Sequence, residues 1–443
     1  MLFRSEIING DCLEELKRLE DNSVDAVITD PPYGLSNTKP QQVADVLKAW
    51  VTGDTVSVPA KRGGFMGKDW DSFVPPPAVW EECMRVLKPG GHMAVFAGAR
   101  TQDLMGLSIR LAGFEIRDTL GWIHSQGFPK GQDLGKIIDK KLGAERTEVA
   151  GRGWHIRTGG GSGVTIGHFA EKYEKGDATV GREVFAPATS EAKRWTGWNS
   201  QLKPAIEPII LARKPLDGTV ANNVLAHGVG GLNIDACRVG MSDADREVVD
   251  SRSGAAADYD GEGWGKRGNY PEGRKFKSAP AGRFPANVLL DEHAAKEMDK
   301  QSGVLKSGAR TPTGREPKGH VYGLGHKTRG VNTYAASEGG ASRFFPVFKY
   351  QAKAPKKERP VIVREDGTKI QHNTVKPLAL MEWLVSLIVP PGGVVLDPFA
   401  GSGTTLQAAL NKGFTPIGIE QDADYIQLIN KRMEGGEQST RNS

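Results

Sequence analysis

Only three cysteines, Cys12, Cys83 and Cys237, occur in 443 residues, and no C-x-x-C pair is among them. That excludes a disulfide framework and leaves no zinc-ligand spacing, so no metal is expected. Long apolar runs are missing as well. No stretch could cross a bilayer, and the start Met1-Leu2-Phe3-Arg4-Ser5 carries no apolar signal segment, which points to a cytosolic protein with no membrane partner. No lysine follows Gly403, and the Gly401–Gly403 turn does not extend to the full G-x-G-x-x-G pattern, so that loop is neither a Walker-type phosphate cradle nor a dinucleotide fingerprint. Zinc-finger spacing and basic-zipper heptads are also lacking. What the chain does have is a hydrophobic fraction of 38%, enough for a core with substantial polar surface, and a net charge of +5 that is unevenly spread. Residues 301–360 hold twelve Lys and Arg against three Asp and Glu, a local +9 that leaves −4 for the remainder. Tyr322, Tyr334, Phe344, Phe345, Phe348 and Tyr350 interleave with those cations. Clustered positive charge is the footprint of phosphate contacts, with a solvated basic loop as the plainer reading.

Strands and helices alternate at both ends of the chain. Asp11 caps a short helix over Cys12 to Leu19, and Val24 to Thr29 reads as a strand. Val79, Trp80, Cys83, Met84 and Leu87 mark a helix that ends at Pro89-Gly90-Gly91, before a strand from Met93 to Ala97. A helix from about Thr101 to Leu111 stops at Gly113 and hands over to a strand from Glu115 to Ile123. Toward the other end, Val394-Val395-Leu396 is a short buried strand. A glycine turn follows it, then a helix from Thr404 to Asn411 stopped by Gly413, and a strand from Pro416 to Ile419. Such alternation predicts parallel pairing with helices on both faces.

Two motifs stand at the ends of those strands: Asp30-Pro31-Pro32-Tyr33, and Asp397-Pro398-Phe399-Ala400-Gly401-Ser402-Gly403-Thr404. Alone, the first is equally a proline turn closing a strand, and G-S-G is a common flexible turn. Glu420 lies nineteen positions after Gly401, close to the roughly 20-residue spacing at which an acid beyond a glycine turn holds a ribose hydroxyl. Together and in this order the motifs resemble the DNA amino-methyltransferases, in the circularly permuted arrangement of their beta group. His372-Asn373-Thr374-Val375-Lys376-Pro377 resembles the family's motif opening the helix before the cofactor strand. The resemblance covers roughly residues 5–125, 201–214 and 372–433.

The resemblance implies an α/β fold, a seven-stranded doubly wound, Rossmann-like methyltransferase sheet, circularly permuted and carrying a large recognition insertion. It implies S-adenosyl-L-methionine as cofactor. Asp397, Phe399, Ala400, Gly401, Ser402, Gly403 and Thr404 would form its loop, Glu420 and Gln421 would lie at the ribose, Asp11 near the adenine, and Thr374 and Lys376 near the methionine part. It also assigns catalysis to Asp30, Pro31, Pro32 and Tyr33. The Asp30 carboxylate and the Pro31 carbonyl would accept the two hydrogens of an exocyclic amine, whose lone pair is otherwise delocalised into the ring. The prolines stiffen the loop, and Tyr33 offers a face on which an extruded base could stack. Family members with Asp at this position mostly methylate adenine N6, whereas the permuted cytosine-N4 enzymes mostly carry Ser. Adenine in double-stranded DNA is therefore the expected target, with cytosine N4 and a catalytically silent DNA-binding subunit as alternatives. A homodimer and a cognate restriction endonuclease are left open as partners, in the cytoplasm of a bacterial or phage-infected cell.

The expected domain plan follows from these anchors. Residues 1–125 are the catalytic half of the core, 126–200 an irregular insertion around Gly159-Gly160-Gly161, and 201–214 a returning antiparallel core strand. Residues 215–371 are the target-recognition region, 372–433 the cofactor half and 434–443 a disordered tail. Within the first half, residues 35–75 form a long loop with Phe65, Trp70 and Phe73, one of which could help hold a flipped base or simply tack the loop down. Trp195 and Trp198 could likewise stack on nucleic acid or anchor the insertion.

Overall fold

Every residue of the strand Val24–Thr29 is buried, with Val27 in one core and Ala26 and Ile28 in another. Only a sheet covered on both faces allows this. The computed structural model describes residues 5–36, 38–59, 71–125, 131–154, 181–243, 245–246, 282–307, 337–348, 359–372 and 374–440. They form a nine-stranded sheet whose strands, in chain order, are β1 (Glu6–Asn9), β2 (Val24–Thr29), β3 (Leu87–Phe96), β4 (Glu115–Ile123), β5 (Ile206–Arg213), β6 (Val288–Asp291), β7 (Val347–Phe348), β8 (Val394–Asp397) and β9 (Thr415–Glu420). In space the order is β1-β9-β8-β2-β3-β5-β4-β6-β7, parallel throughout except for β5, which runs antiparallel to both β3 and β4.

Helices cover both faces. On one side α2 (Pro40–Val51), α3 (Pro77–Val86) and α4 (Gln102–Leu111) bury Trp50, Trp80, Cys83, Met105 and Ile109 against Val27, Met93 and Val95. On the other, α5 (Leu378–Ile388) and α6 (Thr404–Asn411) bury Leu380, Leu384, Ile388, Ala408 and Ala409 against Ile28, Ala94 and Phe96. Each fully buried Leu or Ile contributes about 1.5–3 kcal/mol relative to exposure. The buried Asp25 ties three strands together. Its Oδ1 pairs with Lys88 Nζ at 2.6 Å, and its Oδ2 accepts the Val394 N–H at 2.7 Å.

The expected seven-stranded plan is present and is extended by two strands. The returning strand β5 pairs between β3 and β4, and β6 and β7, both from the region read as target recognition, continue the sheet beyond β4. Strand β1 had no expectation attached; it is four residues long and half exposed, so it carries little hydrophobic signal. Pro89-Gly90-Gly91 does not separate helix from strand. Strand β3 already begins at Leu87, and the three residues form an irregularity in its pairing with β2. The first helix, α1, spans Cys12–Leu16 and stops short of Leu19. The last helix, α7 (Ala423–Thr440), continues through most of the segment expected to be a disordered tail. Phe65, Trp70, Gly159, Gly160 and Gly161 lie outside the described residues. Phe73 is core, packed edge-on against Trp50 at 5.9 Å.

Residues 126–205 make a separate compact unit. Its helix Leu134–Lys141 is capped by Asp133, and an antiparallel ribbon pairs Val149–Trp154 with Gly181–Phe185. Asp139 holds this unit together, accepting from Ala188 N, Thr189 N and Thr189 Oγ1 while pairing with Arg146 at 2.6 Å. Trp195 and Trp198 stack edge to face at 5.1 Å, with both rings partly exposed. No helix among the described residues is long and apolar enough to cross a membrane.

Candidate active site

Strands β2 and β8 are parallel neighbours, so the loops that leave their C-terminal ends emerge side by side. In an open parallel sheet this is where ligands are held. One loop is Asp30-Pro31-Pro32-Tyr33 and the other is the glycine loop, and a buried hydrogen bond from Thr29 Oγ1 to Asp397 Oδ1, 2.7 Å, joins their roots. Asp397 Oδ1 also accepts the Phe399 N–H at 3.1 Å, and burial pushes its carboxyl up to about 6 despite these donors.

The tetrapeptide is pinned from behind. Asp71, almost fully buried, accepts the backbone N–H groups of Tyr33 at 2.8 Å and Gly34 at 3.0 Å with one oxygen. Thr101 Oγ1 donates to the Tyr33 carbonyl at 2.6 Å. Gly34 has φ of 65°, and a Cβ there would lie 2.7 Å from the Val74 nitrogen, so this turn demands glycine.

In front of that turn the side chains converge. Tyr33 Oη donates to Asp30 Oδ1 at 2.7 Å, and Lys376 Nζ donates to Tyr33 Oη at 2.9 Å. The same ammonium lies 3.0 Å from Asp30 Oδ2 and 3.0 Å from Glu207 Oε2, and it stands over the rings of Phe96 at 4.8 Å and Tyr33 at 5.3 Å. Burial alone would lower the Lys376 pKa, but Asp30 and Glu207 outweigh it and raise it, so the side chain stays charged. Burial, reinforced by Asp30, likewise drives the Tyr33 phenol well above its usual range. Lys376, expected near a cofactor's methionine part, is thus engaged at the tetrapeptide. Tyr33, expected to offer a stacking face, also closes this hydrogen-bonded cluster with its hydroxyl.

The glycine loop is curled by two left-handed residues, Gly401 at φ 53° and Gly403 at φ 76°. A Cβ on Gly403 would meet Ile429 at 3.1 Å, and one on Gly401 would meet His372 Nε2 at 3.0 Å. Gly403 leads into α6, where Thr404 is the first residue and is buried with Ala400 and Ser402. Arg432 clamps the far side, its Nε donating to the Ser402 carbonyl at 2.7 Å. Phe399 leans on Trp80 at 6.4 Å. Glu420 reaches back to the loop: Oε2 accepts the Gly401 N–H at 2.8 Å and Oε1 accepts the Asp422 N–H at 2.9 Å. Burial is the main cause that pushes its carboxyl up to about 7.

Asp11 sits beside this acid, because β1 and β9 pair with Asn9 opposite Glu420, and Asn9 Nδ2 donates to the carbonyls of Glu420 and Gln421. Asp11 Oδ1 caps α1 through the N–H groups of Leu13 and Glu14. Thr374 is exposed, and its carbonyl oxygen lies 2.7 Å from His372 Nδ1, while the His372 ring packs edge-on against Tyr425 at 4.7 Å. Asn373 lies outside the described residues. The acids Asp11, Glu420 and Asp422, set around a loop whose backbone a Cβ would fill, suit a hydroxyl-bearing, cationic ligand better than a phosphate. Sequence reasoning missed Glu207, Asp71 and Arg432. An acid inside the apolar run Ile206–Leu211 was the one available signal for Glu207, whereas Asp71 and Arg432 carry none.

A family model described as DNA methylase matches residues 24–431. The type II methyltransferase M.HindIII of Haemophilus influenzae is 23% identical over 450 residues, covering 96% of this chain and 94% of that protein. The DNA adenine methyltransferase YhdJ of Escherichia coli is 43% identical over 63 residues, 14% of this chain and 21% of that protein. Among solved structures, the cytosine-N4-specific PvuII DNA methyltransferase aligns over 98% of this chain and 87% of that chain, at 12% identity and a TM-score of 0.40.

Proposed function

The chain belongs to the DNA methylase family, and from that membership and its site we propose that it transfers the methyl group of S-adenosylmethionine to adenine N6 in double-stranded DNA. The observation that carries this reading is the junction of Asp30-Pro31-Pro32-Tyr33 with the glycine loop, on neighbouring parallel strands tied by Thr29 and Asp397. Because the tetrapeptide precedes the glycine loop in the chain, we place the protein in the permuted beta group.

When bound, S-adenosylmethionine supplies an electrophilic methyl group. The chain's own residues do the rest. Gly401 and Gly403 would let backbone approach the ligand, and Glu420, Gln421 and Asp11 would hold its ribose and adenine end. Asp30 and the Pro31 carbonyl accept the two amino hydrogens of the target base and localise its lone pair, so that acceptors are aimed where positive charge develops. The Asp71 and Thr101 anchors keep that geometry fixed, which matters because a 1 Å misplacement can cost about a hundredfold in rate. The choice of adenine rests on the resemblance, in which family members with Asp at this position mostly methylate adenine; the Asp30 carboxylate supplies a charge-assisted acceptor for the amine.

Expression in a methylation-free host, followed by modification-sensitive sequencing of its DNA, tests the proposal. N6-methyladenine at one recurrent sequence is expected. Methylated cytosine at N4 would change the target base, and unmodified DNA from a host containing folded protein would overturn the reading.

A further inference from the structure

The methyl-transfer site gives no role to the two tryptophans in the separate unit of residues 126–205. Trp195 and Trp198 are 41% and 59% exposed, with ring centroids 5.1 Å apart, and Leu202 close by in the chain is 92% exposed. Their backbone, by contrast, is fixed. Leu134 N donates to the Trp198 carbonyl at 3.0 Å, Ser200 N donates to the Gln132 carbonyl at 3.0 Å, and Gln132 N donates to Ser200 Oγ at 2.8 Å. Asp133 and Asn199 form a bridge between the same two segments, and Gly197 turns the chain at φ 83°. Large apolar side chains held outward on an anchored loop mark an interaction surface.

The charge around that loop selects the partner. Residues 126–205 hold thirteen Lys and Arg against nine Asp and Glu, a local +4, and with the +9 of residues 301–360 set aside as well the remaining chain is −8. The unit's buried acid is used internally, since Asp139 pairs with Arg146, and Asp133 caps the helix Leu134–Lys141. Its cations are left outside. Lys193 and Arg194, in the turn that leads directly into Trp195, are exposed and in no ion pair among the described residues, and the same holds for Lys136, Lys140 and Lys141. Cations beside exposed aromatic rings fit a polyanion that carries flat apolar bases. The chain leaves for this unit after Ile123 and returns at Ile206, which is paired with it, on the sheet edge from which the two motif loops also leave.

We propose that residues 190–202 are a DNA-contact surface, on which Lys193 and Arg194 take backbone phosphates while Trp195 and Trp198 pack on the face of an unstacked base. The inference rests on the DNA methyl-transfer reading above, because extruding a target base leaves the bases around it without their stacking partner. Aromatic stacking tolerates any base, so this surface contributes affinity and not sequence choice.

Anisotropy titrations of the full chain test this with two fluorescein-labelled duplexes of one sequence, one fully paired and one with a single-base bulge that presents an unstacked base. Wild type is expected to bind the bulged duplex more tightly. Trp195→Ala combined with Trp198→Ala is expected to remove that preference and weaken bulged-duplex binding by about tenfold, whereas Phe at both positions keeps it. Lys193→Gln combined with Arg194→Gln is expected to weaken binding to both duplexes alike and to lower the slope of log affinity against log salt by about 0.9 per lost contact. All four side chains are exposed, so melting temperatures should match wild type. Unchanged bulged-duplex affinity in the alanine variant, or an unaltered salt slope in the glutamine variant, would each overturn the surface. Self-association of wild type that the alanine variant abolishes, with DNA binding intact, would overturn it too and place a second copy of this chain there. Wild-type protein that binds both duplexes but methylates no DNA would instead overturn the proposed function.

Discussion

Asp71 shows how a single buried acceptor can hold a catalytic turn. Its Oδ1 takes the N–H groups of both Tyr33 and Gly34. Asp71→Ala strands two backbone donors, each at a cost of about 1–3 kcal/mol. A lower urea midpoint is expected, together with slower turnover and nearly intact S-adenosylhomocysteine affinity; an unchanged midpoint would show that the turn holds itself. Glu420 gives a pH signature. Burial raises its folded-state pKa from 4.5 to about 7, so the folded protein binds this proton more tightly than the unfolded chain does. Its contribution is fully present below about pH 4.5 and is lost as pH rises through about 7. In Glu420→Gln that loss disappears, so the stability of the variant relative to wild type is expected to climb between pH 5 and pH 8 in parallel denaturation series. A constant difference would place the carboxyl in ordinary solvent. Asp30, Tyr33, Gly401 and Glu420 could be picked out of the sequence because their neighbours in the chain form a pattern. Asp71 and Arg432 could not, and Glu207 only as an acid inside an apolar run, since each acts through partners distant in sequence that only the folded chain brings near.

At the level of elements, the glycine loop works by a backbone shape that other residues resist. A left-handed conformation costs an L-residue about 1–2 kcal/mol. Gly401→Ala, which would also press on His372, is expected to relax the loop and weaken S-adenosylhomocysteine binding by about tenfold, the equivalent of 1.4 kcal/mol. Equal affinity in a calorimetric titration would mean that the loop does not approach the ligand. Strands β2, β4 and β8 and helix α6 are readable from sequence because apolar runs are punctuated by clear stops such as Gly113 and Gly413, both at positive φ. Strands β6 and β7 were not, having four and two residues and no alternation of their own. Their stability comes from adding to an existing edge, a tertiary effect. The same is true of β5, whose apolar run is visible but whose insertion between β3 and β4 is set by pairing on both sides.

For the whole molecule, charge distribution is the remaining sequence-level guide. Most of the basic stretch, with Tyr322, Tyr334, Lys349, Tyr350, Lys353 and Lys356, lies outside the described residues. Arg343 is inside them and is engaged internally, 3.9 Å from Asp245 and stacked over Phe344, so it leaves the set of phosphate contacts that charge alone would suggest. Neutralising Lys349, Lys353 and Lys356 together is expected to weaken DNA binding and flatten the dependence of log affinity on log salt by about 0.9 per lost contact. An unaltered slope would move the DNA contacts elsewhere, the unit of residues 126–205 with its paired Trp195 and Trp198 being the next surface to test. Composition revealed the excess of charge and the long insertions, but not which cations the fold spends on itself. In the proposed reaction Asp30 receives the amino group of adenine in DNA. Digesting DNA treated with wild-type or Asp30→Ala protein to nucleosides, and separating them by mass, tests it most directly. The expected result is N6-methyldeoxyadenosine from wild type and none from a variant that still binds S-adenosylhomocysteine; methyldeoxycytidine alone, or full activity in the variant, would contradict it.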